Sequence, residues 1–385
     1  MDILFISHRG SMYRYFDYLN RELPFDTKVV DFFPKFLIGD KAPALLAADV
    51  AQGIAFQLQR KRSKYTAPEW VWTLIQSYYE GQYLRYYRRF YSLLNKYQPK
   101  CIALWNGHRL PEFAIKHLAQ QLNIPVVHFE NGLLPNTTTF DLSGVNDANS
   151  LPREASFYKA QAAIERSTPI AQRNLVTRKF HRSKKSRAKS HIFHKSLPEK
   201  FIFVPFQVKF DSQVLLNSPR IKTMYELYRW IEYAMQQSND RDLKFVIKEH
   251  PSDPHKYSEL YDKNPQIIFS NRDTKELIEQ SEAVITINSS VGIEALLLHK
   301  SVIVLGEACF GIQGLTHPLS SMEQLPIVIN QLSGSQPDTI LIEQFLSYLE
   351  HQYSVRGSWR NPNSMHVQAL TEKFTSVIGT PVGHW

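Results

Sequence analysis

Cysteine is almost missing from this chain. Its two residues, Cys101 and Cys309, leave no disulfide framework and no Cys-x-x-Cys ligand pair. Both fall in expected strands or strand ends, which reads as buried thiols in a reducing compartment. No apolar run approaches the roughly 18–20 residues a membrane-spanning helix needs. Met1 and Asp2 lead straight into a short strand, without a basic region followed by a long apolar one. The expectation is therefore a cytoplasmic protein without a secretory leader. No His-Glu-x-x-His or comparable ligand spacing occurs, so no metal is expected. No nucleic-acid-binding motif accompanies the net charge of +9, and nucleic acid is not expected as a partner.

What is present is globular. A hydrophobic content of 43% and an aromatic content of 12% lie well away from disordered compositions. At 385 residues the chain exceeds one ordinary core and fits two α/β domains of similar size. The excess charge is unevenly placed. Residues 173–189 hold eight Lys/Arg, and no Asp or Glu occurs between Glu165 and Glu199. This stretch reads as a solvated interdomain linker. In function it suits an anionic membrane surface, at about 1 kcal/mol per basic residue near the lipid. That would make the protein peripheral at the cytoplasmic face of a membrane.

The first half alternates strand and helix. Strands are expected at 3–7, 28–32, 101–105 and 126–130, with a helix at 111–123 completing a βαβ unit. A long helix at 68–97 interleaves tyrosines with Arg85, Arg88 and Arg89. Its rings either pack on the domain core or form a surface for sugars or a membrane interface. Residues 137–146 are polar and read as a loop on the acceptor side.

After the basic stretch the pattern restarts, with strands at 201–208, 244–248, 266–269, 283–287 and 301–305. Helices are expected at 221–237, 274–280 and 291–299. The implied fold is α/β and GT-B-like, with two doubly wound, Rossmann-like domains facing a cleft. Expected boundaries are 1–195 for the N-terminal acceptor-side domain, which ends in the basic linker 173–195, and 196–335 for the nucleotide-sugar domain. The tail, 336–385, contributes helices that cross back to the first domain.

Four segments carry candidate chemistry. The most informative begins with a β-branched strand, breaks at Asn288, Ser289 and Ser290, and resumes as a helix from Val291. Amide donors and hydroxyls at such a turn bind phosphate without a metal. Glu294 follows one turn later, placed for sugar hydroxyls. A second strand delivers Lys248 and His250, followed by Pro251, to the same carboxyl edge, where open α/β sheets bind ligands. A third runs out through Gln207 and Val208 to Asp211 and Ser212, which read equally as catalytic groups or as a helix cap. The fourth ends in Glu130, Asn131 and Gly132, a carboxylate at a sharp turn. Arg9, after the first strand, reads as a sugar-carboxylate clamp or as part of a simple turn. Together the segments point to a nucleotide-sugar site.

In this order, the four segments resemble the retaining β-Kdo transferases of bacterial capsule and lipopolysaccharide synthesis, particularly the O-antigen branch. The shared residues are Glu130 and Gly132; Gln207, Val208, Asp211 and Ser212; Lys248, His250 and Pro251; and Asn288, Ser289, Ser290, Gly292 and Glu294. The likeness spans roughly residues 1–330, and the chain lacks the second module copy of the capsule branch. The resemblance implies CMP-Kdo as donor, an oligosaccharide or lipid-linked glycan acceptor, and no cofactor or metal. Retention calls for double displacement, with Asp211 as nucleophile and Glu130 as base for the acceptor. Alternatives are an enzyme using CMP-sialic acid or a UDP-sugar, or a non-catalytic glycan-binding assembly protein.

Overall fold

A computed structural model describes residues 1–32, 42–161, 196–209, 211–332 and 334–379. The basic stretch 173–195 lies outside the described residues. The chain forms two compact units, Met1–Ser150 with Glu350–Trp385, and Leu151–Leu349. The division thus falls at 150/151 and 349/350, whereas the sequence pattern placed it at 195/196 and 335/336.

The first unit contains β1 (Ile3–Ser7), α1 (Ser11–Glu22), β2 (Thr27–Asp31), α2 (Ala47–Arg62), α3 (Glu69–Tyr97), β3 (Cys101–Trp105), α4 (Leu110–Gln121), β4 (Val126–Asn131) and β5 (Thr137–Asp141). The tail returns β12 (Val355–Arg356) and α12 (Ser364–Gly379) to it. Its sheet has the order β12-β5-β4-β3-β1-β2. The four strands from β4 to β2 are parallel, while β5 and β12 pair antiparallel. Residues 137–146 are therefore not all loop. Thr137 to Asp141 forms a strand, because Gly132 lets the chain double back and donates its N–H to the Thr137 carbonyl at 3.0 Å. A Cβ on Gly132 would lie 1.9 Å from Thr137 Oγ1, so the turn closes only around glycine.

β1 and β3 read as unbroken apolar runs because both faces of the sheet are covered. On one face Phe5 and Phe129 pack with Phe16 of α1 and Phe374 of α12. On the other, Leu4 and Ile6 meet Tyr83, Tyr87 and Phe90 of α3 and Ile115 of α4. The tyrosine-rich helix thus buries part of its rings, as a core-packing helix would, and leaves others outside.

The second unit contains α5 (Ala155–Ala160), β6 (Phe201–Pro205), α6 (Ser212–Asn217), α7 (Met224–Gln237), β7 (Lys244–Lys248), β8 (Ile267–Phe269), α8 (Thr274–Gln280), β9 (Ala283–Thr286), α9 (Val291–Leu297), β10 (Ser301–Val304), β11 (His317–Pro318), α10 (Gln324–Leu332) and α11 (Thr339–Tyr348). Its sheet is parallel throughout, in the order β11-β10-β9-β6-β7-β8. The chain runs outward from β6 to β8, then returns to the other side of β6 with β9. Such a reversal opens a crevice at the carboxyl ends of the two central strands. The same reversal occurs in the first unit between β1 and β3, which pair with each other while β2 lies beyond β1. Among the described residues, no helix is long and apolar enough to cross a membrane.

One buried charge tests the packing of the first unit. Glu112, in the first turn of α4, is 3% exposed and accepts the Arg109 N–H at 3.0 Å. Burial pushes its carboxyl up to about 7, against the pull of Arg109 and with the Glu130 charge adding to the rise. An acid raised in the folded state loses its protons first on unfolding. Stability should therefore fall as pH rises from the unfolded value of 4.5 towards 7, by at most about 3 kcal/mol. His108 and His128, held at about 4 and 3 by burial, act in the opposite sense below pH 6.5. Glu112→Gln should isolate the first effect. Its melting temperature relative to the parent should rise between pH 5 and pH 8, and a difference independent of pH would refute the buried-acid account.

Candidate functional site

The carboxyl edge of the second unit is organised by two buried amides. β6 ends at Pro205, and the next turn brings in Gln207, only 4% exposed. β9 ends at Thr286, and Asn288 follows at 7% exposure. The Gln207 Nε2 donates to Asn288 Oδ1 at 3.0 Å, and the Asn288 backbone N–H returns a bond to Gln207 Oε1 at 3.3 Å. Asn288 Nδ2 also donates to the carbonyls of Gln213 and Asn217, at 3.0 and 2.9 Å. The loops after β6 and β9 are thus locked together at the strand reversal.

Asp211 enters on the loop fixed in this way. Its Oδ1 accepts the Gln213 N–H at 2.8 Å, which makes it the N-cap of α6. The capping reading of this residue is therefore realised, and it does not remove the chemical one. Burial raises the Asp211 carboxyl above the ordinary carboxylate value, while the Gln213 N–H, the nearby His250 and the Ser212 hydroxyl pull it back. His250, half-buried on the loop after β7, is lowered by burial and held up by Asp211 and Asp253. Its Nδ1 accepts the Ser252 N–H at 3.1 Å. Asp253 closes the group by accepting the Lys209 N–H at 3.0 Å, so the loops after β6 and β7 are tied as well. Asp211, Ser212, His250, Gln207 and Asn288 are brought together by these contacts.

Lys248 is placed differently from its expected role. Its Nζ donates to the Arg272 carbonyl at 2.6 Å and to Thr274 Oγ1 at 2.9 Å. Two of its three protons are thus committed at the start of α8. Burial lowers it, and Asp273, Glu294 and Glu276 support its charge. Glu294 therefore belongs to the same electrostatic neighbourhood.

The turn at Ser289 and Ser290 also differs from the expected cradle. The Ser289 N–H donates to Thr286 Oγ1 at 3.1 Å, and the Val291 N–H to Ser289 Oγ at 3.3 Å. α9 spans only Val291–Leu297, shorter than expected, so its dipole adds little. The donors this turn leaves for an anion are chiefly the Ser290 amide and the two hydroxyls. Gly292 has a packing reason, since a Cβ would lie 2.4 Å from the Phe310 ring.

In the first unit, Glu130 is the next-to-last residue of β4 and accepts hydrogen bonds from two asparagines. Asn106 Nδ2 donates to Oε2 at 2.5 Å, and Asn131 donates to Oε1 through its backbone N–H at 2.7 Å and its Nδ2 at 2.6 Å. Asn131 Oδ1 in turn accepts Trp359 Nε1 at 3.0 Å, and the Trp359 ring lies 4.5 Å from that of Trp105. Arg9 is 72% exposed and bonds Asp31 Oδ2 through Nε at 2.8 Å. Neither Asn106, Asn217 nor Asp253 was singled out from sequence. Asn106 had a usable signal, because Asn-Gly directly after a buried strand marks a left-handed turn, here with φ of 74°. Among the described residues, no group of three His, Cys, Asp or Glu is placed to hold a metal.

The family described as "Capsule polysaccharide biosynthesis protein" matches residues 100–199 and 171–359. Protein FixF of Sinorhizobium fredii (strain NBRC 101917 / NGR234) is 37% identical over 274 residues, 71% of this chain but only 64% of its own length. The capsule polysaccharide export protein KpsS of Escherichia coli is 24% identical over 70% of this chain and 83% of its own. Among solved structures, the β-Kdo 2,7 transferase KpsC of Thermosulfurimonas dismutans gives a TM-score of 0.51 at 15% identity, covering 97% of this chain and 99% of that one. That likeness concerns the fold, which is GT-B-like with two Rossmann-like units. With the two matched segments running from residue 100 to residue 359, well over half of its length, the chain belongs to the capsule polysaccharide biosynthesis family.

Proposed function

We propose that the protein is a retaining glycosyltransferase that moves Kdo from CMP-Kdo to an oligosaccharide or lipid-linked glycan in capsule or lipopolysaccharide O-antigen synthesis. The observation that carries this reading is the locked assembly at the strand reversal of the second unit. Gln207 and Asn288 lock the loop of Asp211 to the Ser289–Ser290 turn along one sheet edge, and His250 lies beside Asp211. The likeness of fold to KpsC, a β-Kdo 2,7 transferase, supports the sugar assignment.

In this reading, the Asp211 carboxylate attacks the anomeric carbon of Kdo and the bond to CMP breaks. CMP leaves as an anion, met by the Ser290 amide, the serine hydroxyls, His250 and the remaining proton donor of Lys248. Glu294 receives the ribose hydroxyls, and Val291 lines the turn. Arg9 meets the sugar carboxylate, and Ser212 steadies Asp211. In the second step Glu130 takes the proton of the acceptor hydroxyl, whose oxygen displaces Asp211 from the anomeric carbon. Asn131 fixes the carboxylate of Glu130 for that task, at the turn that Gly132 closes. No metal takes part. The basic stretch 173–195 keeps the enzyme peripheral at the inner face of the bacterial inner membrane.

The donor is tested by thermal unfolding. CMP at about a hundredfold excess over its Kd should stabilise the protein by about 2.7 kcal/mol, and EDTA should leave the effect in place. Stabilisation by UDP and not by CMP would move the assignment to a UDP-sugar enzyme. The chemistry is tested by intact-mass spectrometry with CMP-Kdo present. Glu130→Gln should slow transfer roughly 10²- to 10⁴-fold and accumulate one Kdo residue on Asp211. Asp211→Asn should abolish transfer and the adduct while keeping the response to CMP. Near-normal transfer by Asp211→Asn would rule out the double displacement built on that residue.

A further inference from the structure

We propose that the α2–α3 hairpin of the first unit is a docking surface for an anionic lipid bilayer. α3 buries Trp72, Tyr83, Tyr87, Phe90 and Leu94, and it leaves a second apolar stripe in solvent. Trp70 is 67% exposed, Leu74 62% and Tyr78 58%. Four-residue spacing places each about 6 Å beyond the last on one helix face, making a ridge about 12 Å long. Tyr65, 60% exposed, precedes it in the connection between the helices. Half of the large apolar side chains exposed among the described residues thus fall between residues 65 and 78. Trp and Tyr flanking an aliphatic residue is the composition of a membrane–water interface.

Charge identifies the occupant. α2 ends in Arg60, Lys61 and Arg62, with Lys64 following, and all four are exposed. Arg62 bonds both Glu69 oxygens at 3.0 Å and lies 4.9 Å from the Trp72 ring centroid, which pins the last turn of α2 to the first turn of α3. Lys61 lies 5.6 Å from the Tyr65 ring centroid, and the charge of Arg60 acts on the phenol of Tyr79. The cations therefore flank the ridge itself. From residue 60 to residue 78 the only acid is Glu69, already paired with Arg62. A second copy seated on this ridge would bring two sets of cations together. Anionic headgroups would neutralise them while the rings and Leu74 enter the interface, the arrangement of a peripheral amphipathic anchor.

This inference deepens the peripheral part of the function proposed above, and it depends on neither the donor nor the reaction. The test is co-sedimentation of the full chain with phosphatidylcholine vesicles, with and without phosphatidylglycerol. Binding should require phosphatidylglycerol and weaken as salt rises. A Trp70→Ser/Leu74→Ser/Tyr78→Ser variant should lose at least tenfold in binding, as should Arg60→Gln/Lys61→Gln/Lys64→Gln. All these side chains are exposed, so both variants should keep the parent melting temperature and its response to CMP. Full binding by both variants would overturn the proposal. Loss only on neutralising Lys184, Lys185, Arg187 and Lys189 would overturn it too, while leaving a peripheral enzyme. A parent that dimerises through the ridge and ignores vesicles would assign the surface to a second copy instead.

Discussion

The reciprocal pairing of Gln207 with Asn288 is the constraint on which the second unit's edge depends. Both amides are buried at the point where the strand order reverses, and there each carbonyl and each N–H must find a partner. Asn288 satisfies this by spanning three segments: the loop after β6, the start of α6 and the end of α6. Leaving such a group unpaired costs about 1–3 kcal/mol, and the two residues would leave several at once. The position of Asp211 follows from this lock, because α6, which it caps, is held by its Gln213 and Asn217 carbonyls. A carboxylate kept in a half-buried place by helix capping has little freedom to turn, so the cap itself fixes where Asp211 presents its oxygens.

The first unit solves the same problem with asparagine. Asn106 and Asn131 hold the two oxygens of Glu130 from opposite sides, and Asn131 is itself fixed by the Trp359 indole. Each of these asparagine contacts comes from a donor, so the carboxylate is oriented through its lone pairs. His108 Nε2, His128 Nε2 and Asn106 Oδ1 are buried without a hydrogen-bond partner among the described residues, so this part of the unit carries polar groups that a purely structural core would avoid.

Much of this was legible in the sequence where burial dictates the pattern. The central strands of both units are continuous apolar runs, and their cores were found nearly to the residue, because parallel strands covered on both faces admit little else. For the same reason the candidate residues stand at or just past strand ends, where the sequence pattern places them. Three things were not. The strand at Thr137 to Asp141 is polar, and its existence depends on the close turn at Gly132, a tertiary fact. The Ser289–Ser290 turn looked like an open row of amides, yet short polar side chains there bond the local backbone first. Lys248 stood on the correct edge, but its ammonium is taken by the Arg272 carbonyl and Thr274, and no spacing in the sequence announces that. Sequence pattern places a residue on an edge; competition among neighbours decides where its polar atoms point.

The return of the tail to the first unit has a consequence for synthesis. Strand β12, the Trp359 indole and the Tyr15–His366 hydrogen bond of 2.7 Å join residues more than 200 positions apart in the chain. A ribosome releases the intervening second unit before it releases these partners. The second unit, continuous from residue 151 to residue 349, can complete its core while the first still lacks an edge strand and a covering helix. Until then the antiparallel edge at β5 is unpaired and Asn131 lacks its indole donor. Asn131, and through it Glu130, therefore gains its last support only once Trp359 has emerged, so a product cut short before that residue would carry a finished second unit and an unfinished first one.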